Sequence, residues 1–576
     1  MNLVCFVLFF SIFSGRAVPV ETQVPPPAPW FHGYSATSTG KTIQVSEGGS
    51  IARAMEEAAP GDTIQLAPGT FHEAVVFTKS GAEDAPITLR GSLSASGEKL
   101  TRITTATELD PAGWLPAPNV GPGVYRYGQP LDFRVKSLTA HGRQIAPVHA
   151  KTGGRSPDLT AWDVLAWPDD YRVASNYTSL YVSDGIPFWE TMQAIYYLDE
   201  KPGKADGQTI YLRFWGGHSP AEDRIEAYTE GAAITLDNAA HVVIADCEIH
   251  GGTSGIKISG ANAQYNEIRN CDLFYGTDRV MITGQASRNV IRHCRLQKRF
   301  LGGMTGAWAG ADRLPDAATR KQAAIKSFFY TYYKYWASAH KVSDDRSITL
   351  QDTHDNLIWD NELDGGLIGI SITNASDILL QGNRVLHHSS VGTIVRTQAT
   401  RIQFDRNDFE DNGINFRVQS LNMDSGRVVW ITRNKSLLPE GLGNHVYGHS
   451  EGAPVRAEDA PQVFIIQNTF RGGNHGLLLP PAAIKEGLPN FILLDNVFAL
   501  GGSLVAPPRL QERNGTVGAF DDNLIIQAAD VPVPTADWFG KNNIVTQDPD
   551  AQPPKLNFHA PWKVRGRTFE PIPNMD

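Results

Sequence analysis

The sequence predicts an all-β solenoid: a single-stranded right-handed parallel β-helix with an N-terminal capping helix and a partly helical loop insertion. Cys247, Cys271 and Cys294 stand 24 and 23 residues apart, and asparagine continues the same slot at Asn361, Asn383, Asn407, Asn434, Asn468, Asn496, Asn523 and Asn543. Each step holds a short strand, a turn with Cys or Asn, a second strand, a variable glycine-containing loop and a third strand such as Gly255-Ile-Lys-Ile-Ser-Gly or Gly369-Ile-Ser-Ile-Thr-Asn. Three period-two strands with no helix between them exclude a βαβ unit and a leucine-rich repeat. They fit one coil of a parallel β-helix, in which identical positions stack.

The elements follow in order. Leu3 to Phe13 is an apolar run too short to span a bilayer, and Ser14-Gly-Arg-Ala17 offers small residues for cleavage. Residues 1–17 therefore read as a secretory signal peptide and the mature chain as secreted, extracellular or periplasmic, with no later membrane span. Residues 18–40 are a Pro-rich arm. Residues 41–105 hold the cap and first coils, where Ile51, Ala54, Met55 and Ala58 share one helical face behind the N-cap Ser50. Pro60-Gly61 and Pro68-Gly69 are turns. Residues 106–230 mask the repeat with an elaboration rich in tryptophan, whose Tyr196-Tyr-Leu-Asp and Thr209-Ile-Tyr-Leu-Arg segments suggest a hairpin. Coils run over 231–546, and 547–576 is a Pro-rich tail.

One coil is interrupted. Cys294 and Asn361 are 67 residues apart, which places an insertion at 298–346 with a helix from about Asp316 to Ala339 and an aromatic cluster ending at Trp336. The three coil cysteines have neither zinc-ligand spacing nor the density of a disulfide scaffold. They read as buried thiols standing in for asparagine.

A net charge of −10 and a pI near 5.9 argue against nucleic acid as partner. A hydrophobic share of 41% with 19% charged residues describes a globular chain, expected to be a monomer.

Thr42-Ile-Gln-Val, Ser50 through Ala58, Pro60-Gly-Asp-Thr-Ile-Gln-Leu, Pro68-Gly-Thr-Phe-His-Glu and Pro86-Ile-Thr-Leu-Arg-Gly resemble the opening of secreted right-handed β-helix proteins, and among them the chondroitinase B and alginate lyase group of the pectate-lyase-like (pectin-lyase-fold) superfamily. The resemblance covers most of residues 41–550 and implies the architecture. For activity it implies polysaccharide as substrate, with the cleft on the outward face of the third strand and the loop before it. One fold hosts many functions, so the site is argued from its residues.

Those slots hold Lys257, Met281, Thr349, Ser371, a Val395/Arg396 position of unfixed phase, and Arg417. The loops before them add His250, Tyr275, Asp278, Arg279, Asp364, His387, His388 and Asp411, and a later coil adds His445, Tyr447 and His449. Such a patch suits β-elimination or C5-epimerisation of a uronate: a cation neutralises the carboxylate, a base takes the C5 proton, and in a lyase an acid protonates the leaving oxygen. Arg396 and Arg417 are assigned to neutralisation, His387 or His388 to the base and Tyr447 to the acid. Lys257, Arg279, His445, His449 and Trp336 are candidate substrate contacts. Each histidine is individually more often a satisfied loop residue. Asp344 and Asp345, or Asp352 with Asp355 on the next turn, are the candidate ligands of Ca2+, although calcium takes six or more oxygens and solvated charge is the default for adjacent aspartates.

The paired carboxylates of a polygalacturonase-type hydrolase and the Lys, Arg and Glu set of chondroitinase B have no recognisable counterpart here. A non-catalytic carbohydrate-binding or surface β-helix therefore stays open, and glycoside hydrolysis is the lesser alternative.

Overall fold

From Cys247 to Asn523 the coils turn their first corner on a residue held in the left-handed region. That residue is Asp246 (φ 63°), Asn270 (49°), His293 (53°), Asp360 (53°), Arg406 (52°), Arg433 (55°), Gln467 (57°), Asp495 (52°) or Asp522 (55°), with Gly382 (66°) in one coil. The side chain of the following Cys or Asn then points inward. From Asn361 to Asn523 each backbone N–H donates to the side-chain oxygen of the Asn one coil later, at 2.9–3.1 Å. Cys294 N–H donates to Asn361 Oδ1 at 2.9 Å, so the thiol slots and the amide slots are one ladder. Cys247, Cys271 and Cys294 are buried and free, as the spacing predicts. Each thiol donates to the carbonyl two residues back, at 3.2–3.3 Å. Burial raises the Cys247 thiol to about 12, which leaves it inert as a nucleophile.

The structure is a computed structural model that describes residues 28, 30, 31, 33, 34, 40–148, 161–166, 194–200, 208–214, 218–298, 345–421, 428–451, 462–478, 490–500, 503–506, 517–526, 541–548, 551, 562–564 and 567–569. The first strands of the coils form one parallel sheet of thirteen strands, from Thr42–Val45 to Val517–Asp521. The second and third strands form the remaining faces. Inward Ile, Leu, Val and Phe, such as Ile249, Ile256, Leu273, Val280, Ile348 and Phe416, make one continuous core.

The N-terminal end is closed by the helix Ile51–Glu57, whose cap Ser50 accepts from Arg53 N–H and whose Ile51, Ala54 and Met55 are buried. Glu73 supports it from the next turn of chain. Its carboxylate accepts from Ile51 N–H at 2.7 Å and Ala52 N–H at 3.2 Å, a favourable position at a helix N-terminus.

Between Thr104 and Ala232 the chain leaves the coil. Ala194–Glu200 and Gln208–Phe214 pair antiparallel, as the sequence suggests, within a five-stranded sheet that shares a core with a four-stranded one. This elaboration meets the coil at Tyr228 and Tyr275, which pack with Ala106.

Later coils depart from the three-strand expectation. Glu362–Thr373, Arg384–Arg396, Lys435–Glu451 and Thr469–Leu478 each run through the second corner as one long strand. Gly369 and Gly392 sit at that bend, where an added Cβ would lie 2.3 and 3.0 Å from the carbonyl oxygens of Gly392 and Asn415. The inserted helix expected within 298–346 lies outside the described residues.

Candidate functional site

Register fixes the phase that sequence left open. Lys257, Met281, Thr349, Ser371, Ile394, Arg417 and Tyr447 form one row across successive coils. Arg396 stands two residues further along, opposite Thr373 and Gln419. It therefore shares the outward face, and Ile394 fills the slot beside Arg417.

The two assigned arginines stand on adjacent coils of this face. The Arg417 guanidinium lies 5.3 Å from the centroid of the Tyr447 ring. Arg396 donates through Nε to Thr373 Oγ1 and through Nη2 to Ser371 Oγ, both at 3.2 Å. Arg396, Arg417 and Tyr447 are part-exposed. Lys257 is also part-exposed, several coils away, and Thr349, Ser371 and Ile394 between them are buried.

His387 belongs to a second group. It turns the corner before this face with φ 57°, and its Nδ1 lies 2.7 Å from Asp364 Oδ1. The Asp364 hydrogen bond raises its pKa against the opposing effect of burial, and the Asp411 and Glu410 charges add to the rise. With about a third of its side chain exposed, His387 is a titratable group that solvent reaches. It stands at the corner, seven residues before Ile394, and not in the row that holds Arg417.

A third group was not foreseen as a unit. Asp345 faces Arg279 Nη1 at 2.5 Å and Lys298 Nζ at 2.8 Å, and Arg279 Nη2 also donates to Gly365 O at 3.2 Å. Beside it, Asp278 accepts a hydrogen bond from Thr349 and stands 3.8 Å from Arg346. Desolvation raises the Asp278 carboxyl to about 6 and lowers Lys298 to about 8. Strongly displaced titratable groups cluster at functional sites and in structural ion-pair networks alike.

Several assignments are corrected by burial. His388 is fully buried: Nδ1 lies 3.1 Å from Asn412 Oδ1 and Nε2 3.2 Å from Ser347 Oγ, and desolvation lowers it to about 3. It is neutral with both ring nitrogens engaged, so it is not a base that a substrate approaches. His445 is equally buried, between Ser436 Oγ at 2.7 Å and Gly472 O at 3.2 Å, and Arg279 has no exposed surface. Neither contacts a polymer from there. Asp345 is no calcium ligand, since two cations occupy its oxygens. Asp344, Trp336 and the side chain of His449 lie outside the described residues.

The buried residues form a directed chain. Asn412 Nδ2 donates to both Val385 O and Asn415 Oδ1 at 2.9 Å, Asn415 Nδ2 donates to Ser436 Oγ at 2.6 Å, and Ser436 then donates to His445 Nδ1. Asn412 Oδ1 is the acceptor of His388 N–H, which fixes His388 as the Nδ1–H form and leaves Nε2 to accept from Ser347. Gly472 O can only accept, so His445 carries its proton on Nε2. This polar spine fills the corner that the long strands round without a turn.

A family model described as "Right handed beta helix region" matches residues 224–307, and one described as "Periplasmic copper-binding protein (NosD)" matches residues 339–477. No curated protein matches the chain. Similar solved structures include XylC in complex with xylose, at 15% identity over 88% of this chain and 86% of that one with a TM-score of 0.49. Another is an alginate lyase from Paenibacillus sp. str. FPU-7, at 12% identity over 74% and 94% with a TM-score of 0.39. The pectate lyase Pel9A matches at 11% over 86% and 84%, with a TM-score of 0.35. Among the described residues no three His, Cys, Asp or Glu side chains stand together to hold a metal ion, so the copper of the second description finds no fit there. No helix among them is long and apolar enough to cross a membrane. Stacked parallel registers, the Cys/Asn ladder and the matched helix region together make the chain a right-handed parallel β-helix.

Proposed function

We propose that the protein binds an acidic, uronate-containing polysaccharide on the outward face around Arg396, Arg417 and Tyr447. One observation carries the reading: two guanidinium groups on adjacent coils share this face, one ordered by Ser371 and Thr373 and the other laid over the Tyr447 ring. Strands in neighbouring coils lie about 4.8 Å apart, so a polymer with repeating carboxylates meets cations at a repeating interval. A single exposed guanidinium–carboxylate contact is worth about 1 kcal/mol or less. Several on one chain reinforce one another through effective concentration, in a protein whose net charge of −10 otherwise repels polyanions. The deciding experiment is retention on an immobilised polyuronate gel. Arg417→Ala and Arg396→Ala should each elute at lower salt than the unsubstituted protein, and unchanged elution of both defeats the proposal.

The His387–Asp364 pair favours a second reading, in which the bound polymer is cleaved by β-elimination. The raised pKa keeps His387 protonated to higher pH than a free imidazole, and the neutral ring above its folded midpoint can act as a base. His387→Gln should then abolish the ultraviolet absorbance of unsaturated uronate product while leaving gel retention intact. Absence of that absorbance with the unsubstituted protein on a panel of polyuronates returns the reading to binding alone.

A further inference from the structure

The outer face of the thirteen-stranded sheet carries apolar side chains in three consecutive coils that Glu267 and Gln403 set apart from the other apolar positions of the row. Along that row the residues read Val243, Glu267, Val290, Leu357, Leu379, Gln403 and Trp430, so one polar residue on each side separates the three from the next apolar position. The row beside it reads Arg269, Arg292, Trp359 and Gln381. Outward apolar side chains on a solvated sheet would be exposed, yet Val290, Leu357 and Leu379 are 2%, 0% and 8% exposed, with Ala28 and Phe31 packed against them. Val290 and Leu357 belong to the coils that flank the 298–346 interruption.

The segment seated there is held by a few discrete contacts. Phe31 N–H donates to Ala28 O at 3.0 Å, forming a turn. The Phe31 ring meets Trp359 edge-on at 6.4 Å, and the Arg292 guanidinium stands 5.9 Å from the Phe31 centroid and 5.8 Å from that of Trp359. Three residues on, the Tyr34 hydroxyl donates to Tyr265 O at 2.8 Å and lies 2.7 Å from His241 Nδ1. Its carbonyl accepts from Arg269 Nη1 at 3.1 Å, and its N–H donates to Glu267 Oε2 at 3.4 Å. Glu267 is itself fixed by Arg292 Nε at 2.7 Å. The described residues of the arm add no strand to either sheet. They are held by side-chain seats and end-on hydrogen bonds, which one segment can exchange for another of the same pattern.

We infer that the segment carrying Ala28, Phe31 and Tyr34 forms a displaceable strap, and that its seat is a docking groove for a peptide with aromatic residues at positions i and i+3, occupied in cis by the chain's own arm. Phe31 supplies the buried anchor and Tyr34 the polar lock, while Glu267, Arg269 and Arg292 set the direction. Tethering gives the cis arm a high effective concentration, so the intact chain resists the same segment offered in trans.

The test uses a fluorescein-labelled synthetic peptide spanning residues 26–36 and fluorescence anisotropy with the full chain. Phe31→Ala in the protein removes the cis anchor and should let the labelled peptide bind about tenfold or more tightly than it binds the unsubstituted chain. A peptide carrying the same Phe→Ala change should fail to bind, and Leu357→Asp added to the Phe31→Ala protein should abolish binding of the unaltered peptide. Tyr34→Phe, which leaves the apolar seat filled, gives a second route and should raise peptide binding by a smaller factor. Equal binding to the unsubstituted and Phe31→Ala chains, or no binding to either Phe31→Ala or Tyr34→Phe, overturns the inference.

Discussion

Lys298 and Asp345 flank residues 299–344, and their side chains meet at 2.8 Å with almost no exposure. The same carboxylate holds Arg279 at 2.5 Å, so one buried anion serves two buried cations. The contributions are therefore unequal. Asp345→Asn strands both cations in a low-dielectric site and should cost about 3–5 kcal/mol. Lys298→Met removes a desolvated charge, leaves the Arg279 pair intact, and should cost far less. Denaturant unfolding of the two variants checks this ordering; equal losses would mean that Asp345 does not join them.

The Cys/Asn slot makes a separate prediction. Asn383 Nδ2 donates to Ile358 O and to Asn407 Oδ1, while its Oδ1 accepts from Asn361 N–H. Asn383→Leu leaves those backbone groups buried without partners and should cost about 1–3 kcal/mol for each group orphaned. Cys294→Asn continues the existing ladder and should be tolerated within about 1 kcal/mol. Thermal melting of both distinguishes a continuous ladder from two unrelated packing sites.

This ladder was legible because its step is nearly constant and its residues announce themselves. A second ladder, Asn266 to Asn289 to Asn356, has the same character. Asn289 Oδ1 accepts from Asn266 N–H at 3.1 Å and Asn356 Oδ1 from Asn289 N–H at 3.0 Å, and the signal for it was the shared interval of 23 and 67 residues. The candidate site was less legible, for a geometric reason. Alternation assigns Arg279 and His445 to the outside because Val280 and Val446 point in. At the second corner the chain bends, so consecutive side chains both enter the interior, and a period-two reading cannot see the bend. His387 and His388 show the same limit: adjacent in sequence, one reaches solvent and the other is sealed in the spine.

Acid should probe that spine. Burial lowers His388 to about 3 and His445 to about 4, whereas both titrate near 6.5 when unfolded. The unfolded chain thus binds more protons between those values, so the stabilisation is complete above about pH 6.5 and is lost as pH falls towards the folded values. His445→Gln should flatten part of that acid slope in pH-dependent unfolding. Nitrogen-15 spectra should find His388 as the Nδ1–H tautomer and His445 as the Nε2–H tautomer, and the reverse pair would break the donor order from Ser347 to Gly472.

His387 has the opposite sign. Asp364 raises its pKa, so the folded state holds this proton more firmly than the unfolded chain does. The resulting stabilisation is fully present below about pH 6.5 and is lost as pH rises through the folded value. Asp364→Asn removes the charge that holds the imidazolium, and the His387 midpoint followed by proton NMR should fall towards the ordinary value. The residual influence of Asp411 and Glu410 should keep it from falling as far as burial alone would take it. His387 is part-exposed, so the energetic effect is small and the titration midpoint is the sensitive readout. An unmoved midpoint in Asp364→Asn would show that Asp364 does not set the protonation of His387, and would withdraw the β-elimination reading that rests on the pair.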